Sequence, residues 1–329
     1  MGSKWIRRPV TCLGVAVLAL VLVALAPIWV PISVVYDLVG GRHKVPTMRL
    51  LFFAVLWAWL EVVAVVSSTV LWLAGQGRNR DAHYALQRWW SARVIDSLRA
   101  TVGLRVDVEV PDDWGTGPYV ALCRHASLGD AIMSCWVLST TGGLKPRYVL
   151  KKELKMVPTL DIFGHRLPNY FVDRASANVS AELTGIEQMA DGLGGNQVAV
   201  IFPEGSRAST MKREKELARL RSRNPARASR MESLRNLLPP KSAGASALLA
   251  AVPGADVLLM WHTGFDGLDT FRGILERLRD GRPRARMVVT RWRRDDVDMA
   301  GSFADWLDDR WLEMDDMVAR AMGGLASPA

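Results

Sequence analysis

The sequence predicts an α/β fold with a mostly parallel central sheet flanked by helices, preceded by an N-terminal two-helix membrane hairpin. Two long apolar runs near the start predict the hairpin, because each exceeds the roughly 20 residues needed to cross the hydrocarbon layer of a bilayer. From residue 78 onward, short apolar runs alternate with helical segments, which is typical of a parallel sheet with helices on both faces. We therefore expect a membrane anchor over residues 1–77 and an α/β domain over residues 78–329.

The predicted anchor consists of helices over about residues 10–35 and 50–74. The first run carries no charge and the second carries only Glu61, for which we expect a helix–helix contact, with a functional role as the alternative. A signal peptide is the alternative for the first run, but its length and Pro27 argue against cleavage. Basic residues outside both helices favour a hairpin with both ends in the cytoplasm, and a re-entrant hairpin stays open.

Composition narrows the class of partner. The net charge of +9 favours an acidic partner, which means nucleic acid, an anionic membrane surface or a phosphorylated substrate. Nucleic acid does not account for the apolar runs, and the aromatic residues are not interleaved with the basic ones as base-stacking platforms are. The three cysteines lack CxxC spacing, so we expect neither a disulfide framework nor a zinc site.

The α/β part contains seven predicted strands. They cover about residues 104–110, 119–123, 147–150, 170–172, 198–202, 257–261 and 286–291. Helices are predicted from about Leu128 to Leu138 and from the capping residue Asn178 to Leu193. A charged excursion at about residues 212–235 reads as a solvated surface, with contact to anionic head groups as the alternative. Functional side chains are expected in the loops that follow the carboxyl ends of the strands.

The first such loop is Arg124–Asp130, with the sequence RHASLGD. His125 has an intrinsic pKa near 6.5 and can accept a proton at neutral pH. A carboxylate on the other ring nitrogen orients such a base, and Asp130 in the first turn of the next helix could supply it. This spacing alone is a weak signal, because a histidine after a strand is more often a packed or capping residue. One histidine–aspartate pair is not a metal ligand set, so we predict no metal.

Two arginines follow other strands at the same predicted edge. Arg174 lies two residues after the run Tyr170–Val172, and Arg207 lies five residues after the run 198–202. Two guanidinium groups that converge on one place suit a phosphate, which they can bind in bidentate fashion. Gly205 would let the backbone approach a ligand closely.

The order of these motifs resembles the glycerolipid acyltransferase family, from about Trp89 to Val318. The HxxxxD pair at His125 and Asp130 is followed by FVDR, ending at Arg174, and by FPEGSR, ending at Arg207. Further segments resemble family motifs: 151–158 (KKELKMVP), 202–212, 238–241 (LPPK) and 306–315. These last segments are similar to the subgroup that acts on lysophosphatidate and lysocardiolipin-type acceptors.

The resemblance implies a glycerol-3-phosphate acyltransferase-like fold and a role for each matching residue. His125 would be the general base on an acceptor hydroxyl, and Asp130 would orient it. The acceptor phosphate would be bound by Arg174, Glu204, Gly205, Arg207 and Lys241, with Glu204 and Gly205 shaping their loop. Lys241 stands where the family has arginine and offers a charge without a guanidinium fork.

The resemblance also implies the reaction and its partners. The protein would be an integral membrane acyltransferase with its active site facing the cytoplasm. It would use no cofactor, with acyl-CoA or acyl-carrier protein as the thioester co-substrate and lysophosphatidate as acceptor. Other lysophospholipids or glycolipids are alternative acceptors, and a non-catalytic membrane lipid-binding protein is the alternative from another class. We expect membrane lipids as partners and no nucleic acid.

Overall fold

The computed structural model describes residues 3–127, 129–266, 271–279 and 281–326. The N-terminal part contains α1 (Lys4–Ala24), α2 (Ala26–Val39) and α3 (Pro46–Leu71), which continues into a π-helical turn at Trp72–Gln76. The remaining helices are α4 (Arg80–Val102), α5 (Asp130–Trp136), α6 (Pro158–Ile162), α7 (Val179–Ala190), α8 (Thr210–Arg221), α9 (Pro225–Met231), α10 (Ser242–Ala251), α11 (Phe271–Arg279), α12 (Arg294–Met299) and α13 (Phe303–Ala326).

The seven strands form one sheet. They are β1 (Arg105–Glu109), β2 (Tyr119–Cys123), β3 (Lys145–Lys151), β4 (Tyr170–Val172), β5 (Gln197–Ile201), β6 (Asp256–Thr263) and β7 (Arg284–Trp292), in the spatial order β1-β7-β6-β2-β5-β3-β4. All neighbouring pairs are parallel except β6 and β7, so β1 and β7 run opposite to the other five strands. The predicted mostly parallel sheet with flanking helices is confirmed.

The centre of the sheet is buried on both faces. In β2, Val120 and Leu122 belong to the cluster packed under α7, α10 and α13, whereas Ala121 and Cys123 belong to the cluster on the other face. Successive strand residues point to opposite faces, so an uninterrupted apolar run is what a strand covered on both sides requires. The carboxyl end of β2 therefore lies between two helical layers, and the chain beyond it is held by both.

The first apolar run is not one helix as its length suggested. It is divided at Leu25 into α1 and α2, and Pro27 stands in the first turn of α2. Proline has no backbone N–H to donate to the preceding turn, so a helix begins more readily at Pro27 than it continues through it. Among the described residues, two helical stretches are long and apolar enough to cross a membrane: Lys4–Ala24 and Pro46–Gln76.

The hairpin is docked on the α/β domain along one side of α3. At one end of this helix, Arg49 donates to the Thr101 carbonyl of α4 (3.0 Å); at the other, Arg166 donates to Ser68 Oγ (2.9 Å). Glu61, between these points, is buried and accepts a hydrogen bond from the Thr159 backbone N–H of α6 (3.1 Å). The helix–helix contact expected for Glu61 is present, because its carboxylate caps the start of α6.

The N-terminus of α1 contacts the same part of the domain. The Arg7 guanidinium donates to both carboxylate oxygens of Asp161 in α6, each at 2.9 Å, and Arg8 donates to the Asp161 carbonyl. Because α6 follows β3 after one short 3₁₀ turn, this contact attaches the apolar hairpin close to the carboxyl end of β3.

Two further predictions concern the helix after β2 and the charged excursion at residues 212–235. The helix predicted from Leu128 begins at Asp130, and Leu128 itself lies outside the described residues. The charged excursion forms α8 and α9, which dock on α13: Arg227 makes a bidentate ion pair with Asp308 (2.6 and 2.7 Å). Asp315 of α13 accepts hydrogen bonds from three successive backbone N–H groups, of residues 235–237. Part of the charge in this excursion therefore holds the fold together.

Candidate active site

The loop of residues 124–130, called here the dyad loop, leaves the carboxyl end of β2 and turns into α5 at Asp130. His125 Nδ1 lies 2.9 Å from Asp130 Oδ2. The same oxygen accepts the backbone N–H groups of Ala126 (2.6 Å) and Ser127 (2.8 Å), and Oδ1 accepts the Ser127 hydroxyl. Three donors from the chain between the two residues thus fix the carboxylate, and the sequence spacing brings His125 and Asp130 into contact.

The environment sets the protonation of both residues. Burial alone would raise the pKa of Asp130, but nearby His262 and hydrogen bonds from His125 and Ser127 hold that pKa well below its usual value. Burial lowers the pKa of His125 below 6.5; Asp130 opposes this shift, and the positive charges of Lys151 and Arg174 add to it. At neutral pH, His125 is therefore a neutral imidazole beside a carboxylate. With Nδ1 on Asp130, Nε2 is the nitrogen that can accept a proton.

Glu204 lies behind the dyad loop. Its Oε1 accepts the His125 backbone N–H (2.6 Å) and its Oε2 accepts the Leu238 backbone N–H (2.9 Å). The residue has no exposed surface, and burial raises the pKa of Glu204 to about 8. A second link, from the Ala208 N–H to the His125 carbonyl (2.8 Å), ties the loop after β5 to the dyad loop. In this position Glu204 shapes the loops, and its carboxyl does not reach the surface where a phosphate would bind.

Gly205 and Lys241 lie side by side. Gly205 has a positive φ of 70°, a backbone conformation that favours glycine. A Cβ at this position would lie 3.3 Å from Lys241 Nζ, so the lysine side chain passes over the glycine. The Lys241 backbone N–H donates to the Pro203 carbonyl (2.9 Å), and its Nζ lies 3.6 Å from Glu216. The turn at residues 238–241 is therefore held against the loop after β5.

Four basic residues, called here the cation cluster, gather at the ends of β3, β4 and β5: Lys151, Arg174, Arg207 and Lys212. Burial lowers the pKa of Lys151, and the positive charges of the other three lower it further. Arg207 Nη1 is buried and has no hydrogen-bond partner among the described residues. Within that same part of the chain, no ion pair joins Lys151, Arg174 or Arg207 to a carboxylate. The charge of Glu153 offsets part of this repulsion at Lys151 and Arg174 but forms no ion pair with either among the described residues. Like charges brought together with so little compensation indicate a site for a multiply charged anion.

Sequence reasoning picked out Arg174 and Arg207 as site residues but missed Lys151. A signal was available, because Lys151 is the last residue of a strand and opens the KKELKMVP segment. It also missed His262, whose Nε2 lies 3.1 Å from Asp130 Oδ1. No local pattern marks His262, since it stands inside the buried strand β6 and meets the dyad loop only through strand pairing.

The described residues contain no group of three or more His, Cys, Asp or Glu side chains that could hold a metal ion. What the site offers is a neutral histidine base oriented by a carboxylate, next to a cluster of positive charge. Such a pair can remove a proton from a hydroxyl group whose carrier is bound through an anionic group.

Residues 105–261 match the family model described as Acyltransferase. No curated protein sequence matches the chain. Among solved structures, the chain is similar to the crystal structure of the 1-acyl-sn-glycerophosphate (LPA) acyltransferase PlsC from Thermotoga maritima, with a TM-score of 0.54 and 15% sequence identity. The similarity covers 86% of this chain and 99% of that chain. The family match spans the dyad loop and the loops of Arg174, Arg207 and Lys241; the structural match extends the shared fold to most of the chain.

Proposed function

Since the chain belongs to the glycerolipid acyltransferase family and is an acyltransferase, we propose that it transfers an acyl group from an acyl thioester to the free hydroxyl of lysophosphatidate, giving phosphatidate. One observation carries this choice of acceptor: the neutral His125 base stands in the electrostatic field of a cation cluster in which no described carboxylate forms an ion pair with Lys151, Arg174 or Arg207. The acceptor must then present a hydroxyl group and a strongly anionic group a short distance apart. A lysophosphatidate has both on one glycerol.

In the proposed reaction, His125 Nε2 takes the proton of the acceptor hydroxyl while Asp130 stabilises the imidazolium that forms. The hydroxyl oxygen attacks the thioester carbonyl carbon and a new C–O bond forms. The C–S bond then breaks, and the departing thiolate receives the proton from His125. No acyl-enzyme is required. General-base assistance of this kind contributes about 10²–10⁴-fold, and positioning of the two substrates supplies most of the rest.

In this proposal, Arg174 and Arg207 bind the acceptor phosphate, with Lys151 and Lys241 beside them. Arginine suits the task because its planar fork can donate two parallel hydrogen bonds to phosphate oxygens. The unpartnered Arg207 Nη1 supports this assignment, since a buried donor without a partner is costly unless a ligand satisfies it. Glu204 and Gly205 give the loop its shape.

We further propose that the apolar hairpin keeps the enzyme on the cytoplasmic membrane with its active site facing the cytoplasm. The two long apolar helices suggest membrane association. The ion pair between Arg7 and Asp161 attaches the hairpin beside the segment that follows Lys151, which favours delivery of a lipid acceptor to the cation cluster. Acceptor and product would both keep their acyl chains in the bilayer, where a basic surface attracts anionic lipid.

Acyl transfer by the purified full chain in detergent tests the proposal. Labelled acyl-CoA and acyl-carrier protein are offered with a panel of lysophospholipids and glycolipid acceptors, and His125→Ala is run alongside. We expect transfer to lysophosphatidate and its loss in His125→Ala. Transfer to another acceptor alone would replace the substrate and keep the base; no transfer to any acceptor would favour a lipid-binding protein.

A further inference from the structure

A second histidine lies against the carboxylate of the proposed dyad. His262 is on β6, and its Nε2 lies 3.1 Å from Asp130 Oδ1, the oxygen that does not bind His125. The His262 side chain is 3% exposed, so it lies out of reach of a substrate. Burying a histidine beside a carboxylate is costly unless the pair is compensated. The proposed mechanism assigns this group no task.

Strand pairing fixes where this ring lies. β6 pairs with β2 in parallel up to Met260 opposite Cys123, and the Arg124 backbone N–H then donates to the Met260 carbonyl (2.9 Å). The buried Arg124 guanidinium donates to the His262 carbonyl. The backbone of His262 is thus held by the dyad loop itself, and its ring packs edge-on against Phe265. The position is defined by three strands and does not depend on a surface loop.

We infer that His262 is a positioning residue for the base, one that holds the Asp130 carboxylate turned toward His125 and withdraws negative charge from it. The inference rests on the proposed function, since it concerns proton transfer by His125. The two carboxylate oxygens of Asp130 have different partners. Oδ2 faces His125 and two backbone N–H groups, whereas Oδ1 faces the Ser127 hydroxyl and His262.

Two details support an electrostatic role over simple packing. The His262 N–H is not aligned with Oδ1 as in a regular hydrogen bond, and Nδ1 has no hydrogen-bond partner among the described residues. The contact between His262 Nε2 and Asp130 Oδ1 is therefore the polar contact of the His262 ring within the described part of the chain. His262 is also the leading influence that counters the effect of burial on the pKa of Asp130.

Several elements pack against His262 and Asp130 and place titratable or charged side chains near them. The titratable and charged groups that these elements contribute are Cys123, Arg124, His125, Asp130, Glu204 and Asp266. The positive charges of Lys151 and Arg174, after β3 and β4, also act on His125. β7 places the apolar Met287 opposite His262. Arg124 is itself paired with Asp266, so its charge is partly neutralised within the cluster.

Removal of the His262 ring leaves more negative charge on Asp130, which stabilises the imidazolium form of His125. The pKa of His125 then rises, and less of the base is neutral at neutral pH. For His262→Phe we expect the acid limb of the kcat/KM profile to move up by about one pH unit, so that the loss approaches tenfold on the acid side of that limb and is smaller at pH 7, where much of the base is still neutral. His262→Gln, which keeps an N–H group that could point toward Oδ1 but carries no charge, should restore part of the activity.

The test uses the full chain in detergent with lysophosphatidate and acyl-CoA. His83→Gln is the matched control, because His83 is also buried but lies on α4, where its Nδ1 is 2.8 Å from the Asn79 carbonyl. The titration of ring-labelled histidines is followed by NMR in the same variants. The chain has only five histidines, so the His125 signal can be assigned from His125→Ala.

An unchanged His125 titration and pH profile in His262→Phe would overturn the inference and leave a packing role. A loss of activity without a shifted acid limb would do the same. If His262→Phe does not fold, the shorter His262→Asn, which keeps a polar group but cannot reach Oδ1, replaces it. If the wild-type protein transfers no acyl group, the proposed function fails, and the NMR titration still decides whether His262 acts on His125.

Discussion

The dyad loop and the cation cluster lie at the same edge of the sheet but are built in opposite ways. In the dyad loop every polar contact of the carboxylate is made within the protein: the Asp130 carboxylate receives donors from His125, Ala126 and Ser127. In the cation cluster, Lys151 faces three other positive charges, and Arg207 Nη1 has no partner among the described residues.

The two regions contribute differently to the free energy of unfolding. A base must keep its orientation through every turnover, so its supports are internal and buried. An anion site has to leave its donors free for the ligand, so part of its electrostatic energy stays unfavourable until the ligand binds. Changes in the first region should therefore reduce both stability and catalysis, whereas changes in the second should weaken binding and leave stability unchanged or improved.

The largest expected effect is that of a substitution in the dyad loop. Asp130→Asn should lower kcat/KM by about 10³–10⁴-fold, the order seen when the carboxylate of a Ser–His–Asp triad becomes an amide, because the ring loses its orientation and the stabilisation of its charge. Asp315→Asn is the matched control: Asp315 is also buried and accepts three backbone N–H groups, where Asp130 accepts two, and no hydrogen bond joins it to a histidine among the described residues. We expect both variants to lose thermal stability and only Asp130→Asn to lose turnover. Equal turnover loss in both would mean that the dyad is only a structural support.

The buried Glu204 carboxyl behind the dyad loop should make the stability of the protein depend on pH. Burial raises its pKa from 4.5 to about 8, so the folded protein keeps a proton that the unfolded chain releases. The favourable contribution is complete below pH 4.5 and is lost as the pH rises to 8, which should lower the free energy of unfolding by a few kcal/mol. In Glu204→Gln this fall should disappear, as measured by denaturant unfolding from pH 5 to pH 9. Glu313→Gln, which removes a half-exposed carboxyl on α13, should keep it.

Substitutions of Arg207 test the role of the cation cluster. Arg207→Leu should raise the KM for the acceptor by about 10- to 100-fold, the value of one charged hydrogen bond, with kcat less affected. Arg207→Lys should be intermediate because it keeps the charge without the fork. Thermal stability should stay the same or rise, because one unpaired cation is gone. Arg230→Leu, which removes an arginine already paired with Asp305 and Asp309, should leave the KM unchanged. A marked loss of stability in Arg207→Leu would contradict the contrast.

The smallest expected effect uses free anion. Inorganic phosphate at about ten times its Kd should stabilise the folded protein by roughly 1.4 kcal/mol, because it binds the folded cation cluster and not the unfolded chain. Thermal unfolding is followed in phosphate and in chloride at equal ionic strength. The difference should disappear in Arg207→Leu and persist in Asp130→Asn. A phosphate effect of equal size in all three proteins would indicate a general salt effect in place of a site.

Much of this arrangement could be read from the sequence. The uninterrupted apolar run at residues 119–123 predicts a strand buried on both faces, and β2 is such a strand. Asn178 predicts the start of a helix, and its side chain accepts the Ala181 N–H at the start of α7. The spacing of His125 and Asp130 predicts their contact, because one residue ends a strand and the other opens the following helix. Each of these inferences depends on residues close together in the chain.

Only the tertiary structure decided the rest. The sequence showed a long apolar run where the structure has two helices, and it gave no sign that β1 and β7 run against the other strands. It grouped Glu204 with the phosphate-binding residues as one that shapes their loop, but it gave no sign that the Glu204 carboxyl accepts the backbone N–H groups of His125 and Leu238. It offered no hint that His262 meets Asp130 across 132 positions of chain. Periodicity and spacing report the conformation of a local segment, but contacts between distant residues depend on strand order and register, which are set by the packing of the whole sheet.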